Sequence, residues 1–154
     1  MACATAEHAR RITGMEHEQL TRDFQYIPDD KLDWVPMGKA RTPKQIVVEC
    51  AGAYRWLAAK LRNASDADEQ WGAICEQNPA TREETMKLLG ECWDELMATF
   101  DGVEEAMLAE KRQVFWGEAT LETLLFFCEW HSTYHSGQLN YIQTLLGDTE
   151  MHMG

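Results

Sequence analysis

No run of lysine or arginine occurs in this 154-residue sequence, where 14 basic residues face 26 acidic ones for a formal net charge of −12. The electrostatic term that carries nucleic-acid binding is therefore missing, and an anionic membrane surface is disfavoured for the same reason. No stretch approaches the ~18 consecutive apolar residues that a membrane span needs. The opening MACATAEHARRITG has no continuous apolar segment of the kind found in a secretory signal. Five cysteines (Cys3, Cys50, Cys75, Cys92 and Cys128) are odd in number, scattered and without a CxxC pair. They read as reduced thiols of a cytoplasmic protein, not as a disulfide frame or zinc knuckle. Also missing are a GxSxG elbow, a phosphate-binding glycine loop, a dinucleotide fingerprint, internal repeats and any alternating strand run with hairpin punctuation.

What is present is helical pattern. Hydrophobic residues make up 45% and charged residues 26%, which predicts a single globular domain over residues 1–154 with one core. A first helix is expected from Thr5 to Tyr26, with Ile12, Met15, Leu20 and Phe24 facing inward, before Pro28 and Pro36 break the pattern. A second starts at TPKQ, where Thr42 caps, Pro43 takes the first helical position and Gln45 completes a capping box. It runs to Arg62 and stops before the polar NASDADEQ. A third starts at Thr81, with Glu84 as its capping-box partner, and carries Leu89, Trp93, Leu96, Met97 and Phe100 as its apolar stripe. A last helix is expected from Thr120 to Leu146, ended by Gly147. Residues 101–119 form a connection with room for a short helix. Four long helices predict an all-α four-helix bundle with connections longer than most bundle loops, a length that is often functional.

The stretch CEWHSTYHSGQLNYIQ, residues 128 to 143, carries two histidines four apart. On a wheel of about 100° per residue, His135, Gln138, Leu124, Ile142, Cys128, Leu139, Phe127 and Leu145 all fall within about 80° of His131. Both imidazoles thus sit in the buried stripe, while Glu129, Thr133, Asn140, Gln143 and Thr144 face solvent. Neutral imidazoles in a core need hydrogen-bond partners and charged ones repel, and a divalent cation answers both problems. Satisfied core histidines answer them too, and the spacing alone does not choose. On the second helix Cys50, Ala53 and Leu57 lie within about 40° of Ile46, and Glu49 lies near the rim of that face at about −60°. By spacing alone Glu49 is an exposed residue at a helix edge.

At this point HSTYHSGQLNYIQ resembles the HxxxHxGQ signature of the DinB-like (DNA-damage-inducible) family of bacterial four-helix proteins. TPKQIVVECAGAYRWL resembles the opening of that family's second helix, and IPDDKLDWVP its first linker, so the likeness spans residues 5 to 147. The resemblance implies a divalent metal held by Glu49, His131 and His135, with Glu49 standing where the common pattern has histidine. Two histidines and a carboxylate with open positions suit Fe(II), Zn, Ni or Mn. It also implies a homodimer and a transferase or isomerase that acts on a small molecule with a low-molecular-weight thiol. Metal-assisted hydrolysis with bound water as the nucleophile would use the same three ligands. A metal- or ligand-binding bundle without turnover, and a bundle that binds no metal, are the alternatives.

Neighbouring residues are read as follows. Cys128 is a packing residue or a soft further ligand. Gln138 holds a ring N–H or a core hydrogen bond. Gly137 permits close helix approach. Trp56 and Tyr54 are core or pocket residues, Tyr134 and Tyr141 are packing residues, and Trp71 and Trp116 are candidates for a site mouth. His8, His17 and His152 have no partner at ligand spacing.

Overall fold

The computed structural model describes residues 3–153. Its long helices are α1 (Ala4–Gln25), α2 (Pro43–Leu61), α4 (Arg82–Phe100) and α6 (Phe127–Leu145), with two shorter helices, α3 (Ala67–Cys75) and α5 (Leu121–Leu124). Helix α2 packs on α3, α4 and α6, and α1 closes the bundle against α6 and α4. Leu20, Phe24, Trp56, Leu57, Leu89, Leu96 and Leu139 are buried where they meet. Each such side chain contributes about 1.5–3 kcal/mol by leaving water. Among the described residues no helix is long and apolar enough to cross a membrane.

Capping fixes the starts of two long helices. Thr42 accepts from the Gln45 amide while the Gln45 side chain accepts from the Thr42 amide, and Pro43 follows at the first position. Thr81 accepts from the Glu84 amide, but Glu84 Oε2 reaches the Ala80 N–H at 2.7 Å rather than the Thr81 N–H, so the expected second capping box is shifted by one residue. Arg82 donates to the Phe24 and Ile27 carbonyls and to Asp29, satisfying acceptors left over at the end of α1.

Four expectations are corrected. The polar stretch after α2 leads into α3, whose nine residues are too few for the pattern to repeat. Asp68 accepts from Trp56 Nε1 at 2.6 Å and pairs with Lys60 at 3.3 Å. The connection before α5 holds the short helical turn expected there, at Glu105–Met107, and adds an unexpected hairpin of β1 (Lys111–Val114) and β2 (Gly117–Thr120), paired antiparallel with Val114 opposite Gly117. Gly117 closes its turn at φ +130°, a region open to glycine. Buried Arg112 ties the hairpin to the end of α2 through the Lys60 carbonyl. The last helix is broken at Leu125–Phe126. Burying Leu124, Leu125, Phe127 and Cys128 together needs about 160° of circumference, more than one stripe offers. Finally, Met15 and Leu145 point outward, while Gln143 is buried and donates to the Asp23 carbonyl at 2.7 Å.

Candidate metal centre

Helices α2 and α6 run side by side, and His131 and His135 meet at the level of Glu49 and Cys50. Both imidazoles are buried, and their ring centroids lie 4.5 Å apart. One ring nitrogen of each and Cys50 Sγ all lie within 4.8 Å of one another. Glu49 stands beside this cluster without joining it: Oε1 is 3.8 Å from His135 Nε2, and Oε2 is 2.7 Å from Arg41 Nε. The Glu49 side chain is 16% exposed.

Hydrogen bonding prepares one ring and leaves the other open. His135 Nδ1 lies 2.7 Å from Gln138 Oε1, one turn along α6. The amide oxygen can only accept, so that ring nitrogen carries the proton and the Nε2 lone pair is free on the Glu49 side. His131 Nδ1 is buried with no hydrogen-bond partner, an arrangement that costs free energy unless something accepts from or binds to it.

Burial sets the charge states. It lowers the pKa of His131 to about 3, with His135 and Arg41 acting in the same direction. His135 is lowered by burial, against the Gln138 hydrogen bond. Burial raises Glu49 against the pull of Arg41, and pushes the Cys50 thiol well up. Desolvation thus favours the neutral form of every group here. Neutral imidazoles offer lone pairs without proton competition, and the set of two nitrogens, a thiol and a carboxylate suits a divalent cation.

A cavity of about 530 Å³ opens over the cluster, lined by Glu49, His131 and His135 with Trp71, Phe115, Trp130 and Tyr134 on its walls and Arg41 at its edge. Trp71 lies edge-on to His131 at 5.6 Å. It is brought there by the close approach of α3 to Gly52, where a Cβ would come within 2.7 Å of Trp71 Cδ1. At the hairpin turn Phe115 faces the cavity, while Trp116 stacks on Phe127, centroids 5.6 Å apart. Trp56 is buried beneath this aromatic layer, 4.7 Å from Phe127. The Cys128 Sγ donates to the Ala53 carbonyl at 3.4 Å and stands outside the ligand cluster. Tyr134 and Tyr141 are exposed, not packed, and Gly137 faces open space with no atom within 4 Å of a Cβ built there, so it does not serve helix approach.

Two residues escaped the sequence reading. Cys50 is on the inward face of α2 by its wheel position, but nothing in one helix shows that it meets α6 at the histidines. Arg41 lies in an irregular connection, where no periodicity reports which way a side chain points. His17, without a partner at ligand spacing, stacks on Trp93 with centroids 4.1 Å apart, and its Nδ1 lies 3.3 Å from the Tyr54 hydroxyl.

A sequence model of the DinB superfamily matches residues 13–139 of this chain. Among solved structures, a mutant of mycothiol-dependent maleylpyruvate isomerase is similar, with a TM-score of 0.70 at 10% identity, over 87% of this chain and 60% of that one. At this identity the likeness is one of fold, and the present chain spans about 60% of the length of that protein. No curated protein sequence gives a significant match.

Proposed function

This chain belongs to the DinB superfamily, and on that premise we propose that it binds a divalent metal through His131, His135 and Glu49, with Cys50 as a further donor, and acts on a small molecule in the cavity above. The observation that carries the reading is the convergence of Cys50, His131 and His135 to mutual distances within 4.8 Å, with a carboxylate oxygen 3.8 Å from His135. A thiolate among the donors favours zinc over harder ions such as Mn(II). When bound, such an ion lowers the pKa of a thiol or water at an open position and so supplies a nucleophile at neutral pH.

The side chains of this protein supply the rest. Gln138 Oε1 holds the His135 Nδ1 proton and so fixes the ring. Trp71, Phe115 and Trp130 line the cavity and offer flat apolar surfaces to a substrate. Glu49 would offer the ion Oε1, the oxygen 3.8 Å from His135 Nε2, while Arg41 holds Oε2 at 2.7 Å and so orients the carboxylate. The isomerase neighbour, named for its dependence on mycothiol, supports a low-molecular-weight thiol as cosubstrate over water. Homodimerisation belongs to the same proposal and is tested by sedimentation.

Elemental analysis of protein purified without a histidine tag tests the centre. About one metal per chain in the parent, and loss of it in His131→Ala and His135→Ala, is the expected result. Stoichiometric metal retained in both variants overturns the ligand set. A thiol-plus-electrophile turnover screen on the loaded protein then separates an enzyme from a binding bundle.

A further inference from the structure

A second concavity, of about 1080 Å³, runs along the outside of α6 and shares Arg41 and Tyr134 with the metal cavity. Its apolar surface comes from the connection before α2 (Trp34, Met37) and from α6 (Tyr141, Ile142, Leu145). The α6 contributions recur at positions 134, 137, 138, 141, 142 and 145, the three-and-four spacing of a helix face meant to be covered. Yet Met37, Tyr141 and Leu145 are 82%, 66% and 48% exposed. Gly137 leaves the floor open, with no atom within 4 Å of the space a side chain there would occupy.

Charge selects the occupant. In a chain with a net charge of −12, this groove is lined by two cations, Lys39 and Arg41, and by no carboxylate. Nearby Lys31 and Lys44 are paired with Asp30 and Asp33, whereas Lys39 has no acidic partner among the described residues. A long apolar trough with an unpaired cation at its edge is complementary to an amphiphilic anion. Its volume is close to the range of about 300–1,000 Å³ that encloses drug-sized molecules, which favours a small ligand over a flat protein contact.

We propose that this groove is a binding site for a small amphiphilic carboxylate, its apolar body against Met37, Tyr141, Ile142 and Leu145 and its anionic head on Lys39. The inference rests on the groove alone and not on the metal reading.

Calorimetric titration with octanoate, octanol and octylammonium, below their aggregation limits, tests it. Octanoate is expected to bind one per chain and about tenfold or more tighter than octylammonium, the factor set by one charge-assisted contact. Lys39→Glu, on an exposed loop, reverses that order. Gly137→Trp, at a position where a Cβ meets no atom within 4 Å, fills the floor and abolishes octanoate binding, with the circular dichroism spectrum unchanged. Binding persists in His135→Ala, which separates this site from the metal centre. Equal affinity for the three head groups, or undiminished octanoate binding by a folded Gly137→Trp, overturns the proposal. So does a change of sedimentation in Gly137→Trp with no octanoate bound by the parent, which would make the groove an interface between copies.

Discussion

The Nδ1–H of His135 donates to Gln138 Oε1 at 2.7 Å, one turn apart on the same helix. Three residues of separation bring these side chains onto one face, so the contact is local and needs no other element to hold it. It fixes the tautomer that leaves Nε2 facing Glu49. Outer partners of this kind orient a ligating ring and raise its basicity. Gln138→Leu is therefore expected to keep the fold and weaken metal affinity by about 10–100-fold. Competition with a chromophoric chelator measures this, and an unchanged affinity would show that the ring needs no such support.

The neighbouring positions Glu49 and Cys50 are expected to differ in what they select. Cys50 is a fully buried soft donor, and its thiol is held neutral by desolvation unless a cation is present. Cys50→Ala should cost more for zinc than for manganese, because the softer ion gains more from thiolate. Glu49→Ala should weaken both ions and free Arg41 from its 2.7 Å ion pair. Parallel zinc and manganese titrations of the two variants check the contrast. Equal losses in both variants for both ions would show that neither residue is selective.

How much of this was legible in the sequence depended on what each signal reports. Thr42, Pro43 and Gln45 marked the start of α2 because capping is local chemistry among residues three apart. The two histidines were placed inward because one helix stripe determines both. Helix α3 was not legible: its nine residues are too few for a pattern to repeat, and they are held by Asp68 on Trp56 and by the glycine opposite Trp71. The strands of the hairpin are four residues each, too short for alternation to register. Cys50 as a ligand candidate, and Arg41 at the boundary of two cavities, depend on how α2 meets α6 and on how the preceding connection folds. Those are tertiary facts without a sequence period.

Two glycines should respond in opposite directions to the same change. At Gly52 a new Cβ would lie 2.7 Å from Trp71 Cδ1 and 3.2 Å from Cys75 Sγ, so the Trp71 side chain or α3 itself must shift. Overpacking of this kind costs about 1–3 kcal/mol, and it would shift Trp71 away from His131. At Gly137 nothing lies within 4 Å, and alanine in a helix interior is better than glycine by about 0.5–1 kcal/mol. Urea midpoints for Gly52→Ala and Gly137→Ala are expected to fall and rise respectively. A neutral Gly52→Ala would mean that α3 is loosely held and that Trp71 is not fixed over the site.

Acid sensitivity should trace to buried histidines outside as well as inside the centre. Burial lowers the pKa of His17 from 6.5 to about 4, opposed by the charge of Asp94. Between those two values the unfolded chain binds a proton that the folded chain does not, so stability falls as pH falls from 6.5 toward 4. Each unit of that interval is worth at most about 1.4 kcal/mol, and with His17 partly solvated a total of about 1–2 kcal/mol is expected. His131, lowered to about 3, extends the same slope to more acidic pH. Asp23 and Glu49 act in the opposite sense: burial raises both, so their protonation favours the folded state and blunts the loss as pH falls through their raised values. Both carboxylates are common to parent and variant, so the difference between the two proteins isolates His17, read between pH 7 and 5 in protein stripped of metal by a chelator. There His17→Gln should lose about 1–2 kcal/mol less than the parent, read from paired urea midpoints at the two pH values. Glutamine retains a side chain able to meet the Tyr54 hydroxyl now 3.3 Å from Nδ1, so the change in pH slope reports the titration rather than a lost contact. Parallel slopes for the two proteins would place the acid sensitivity on the α6 histidines alone.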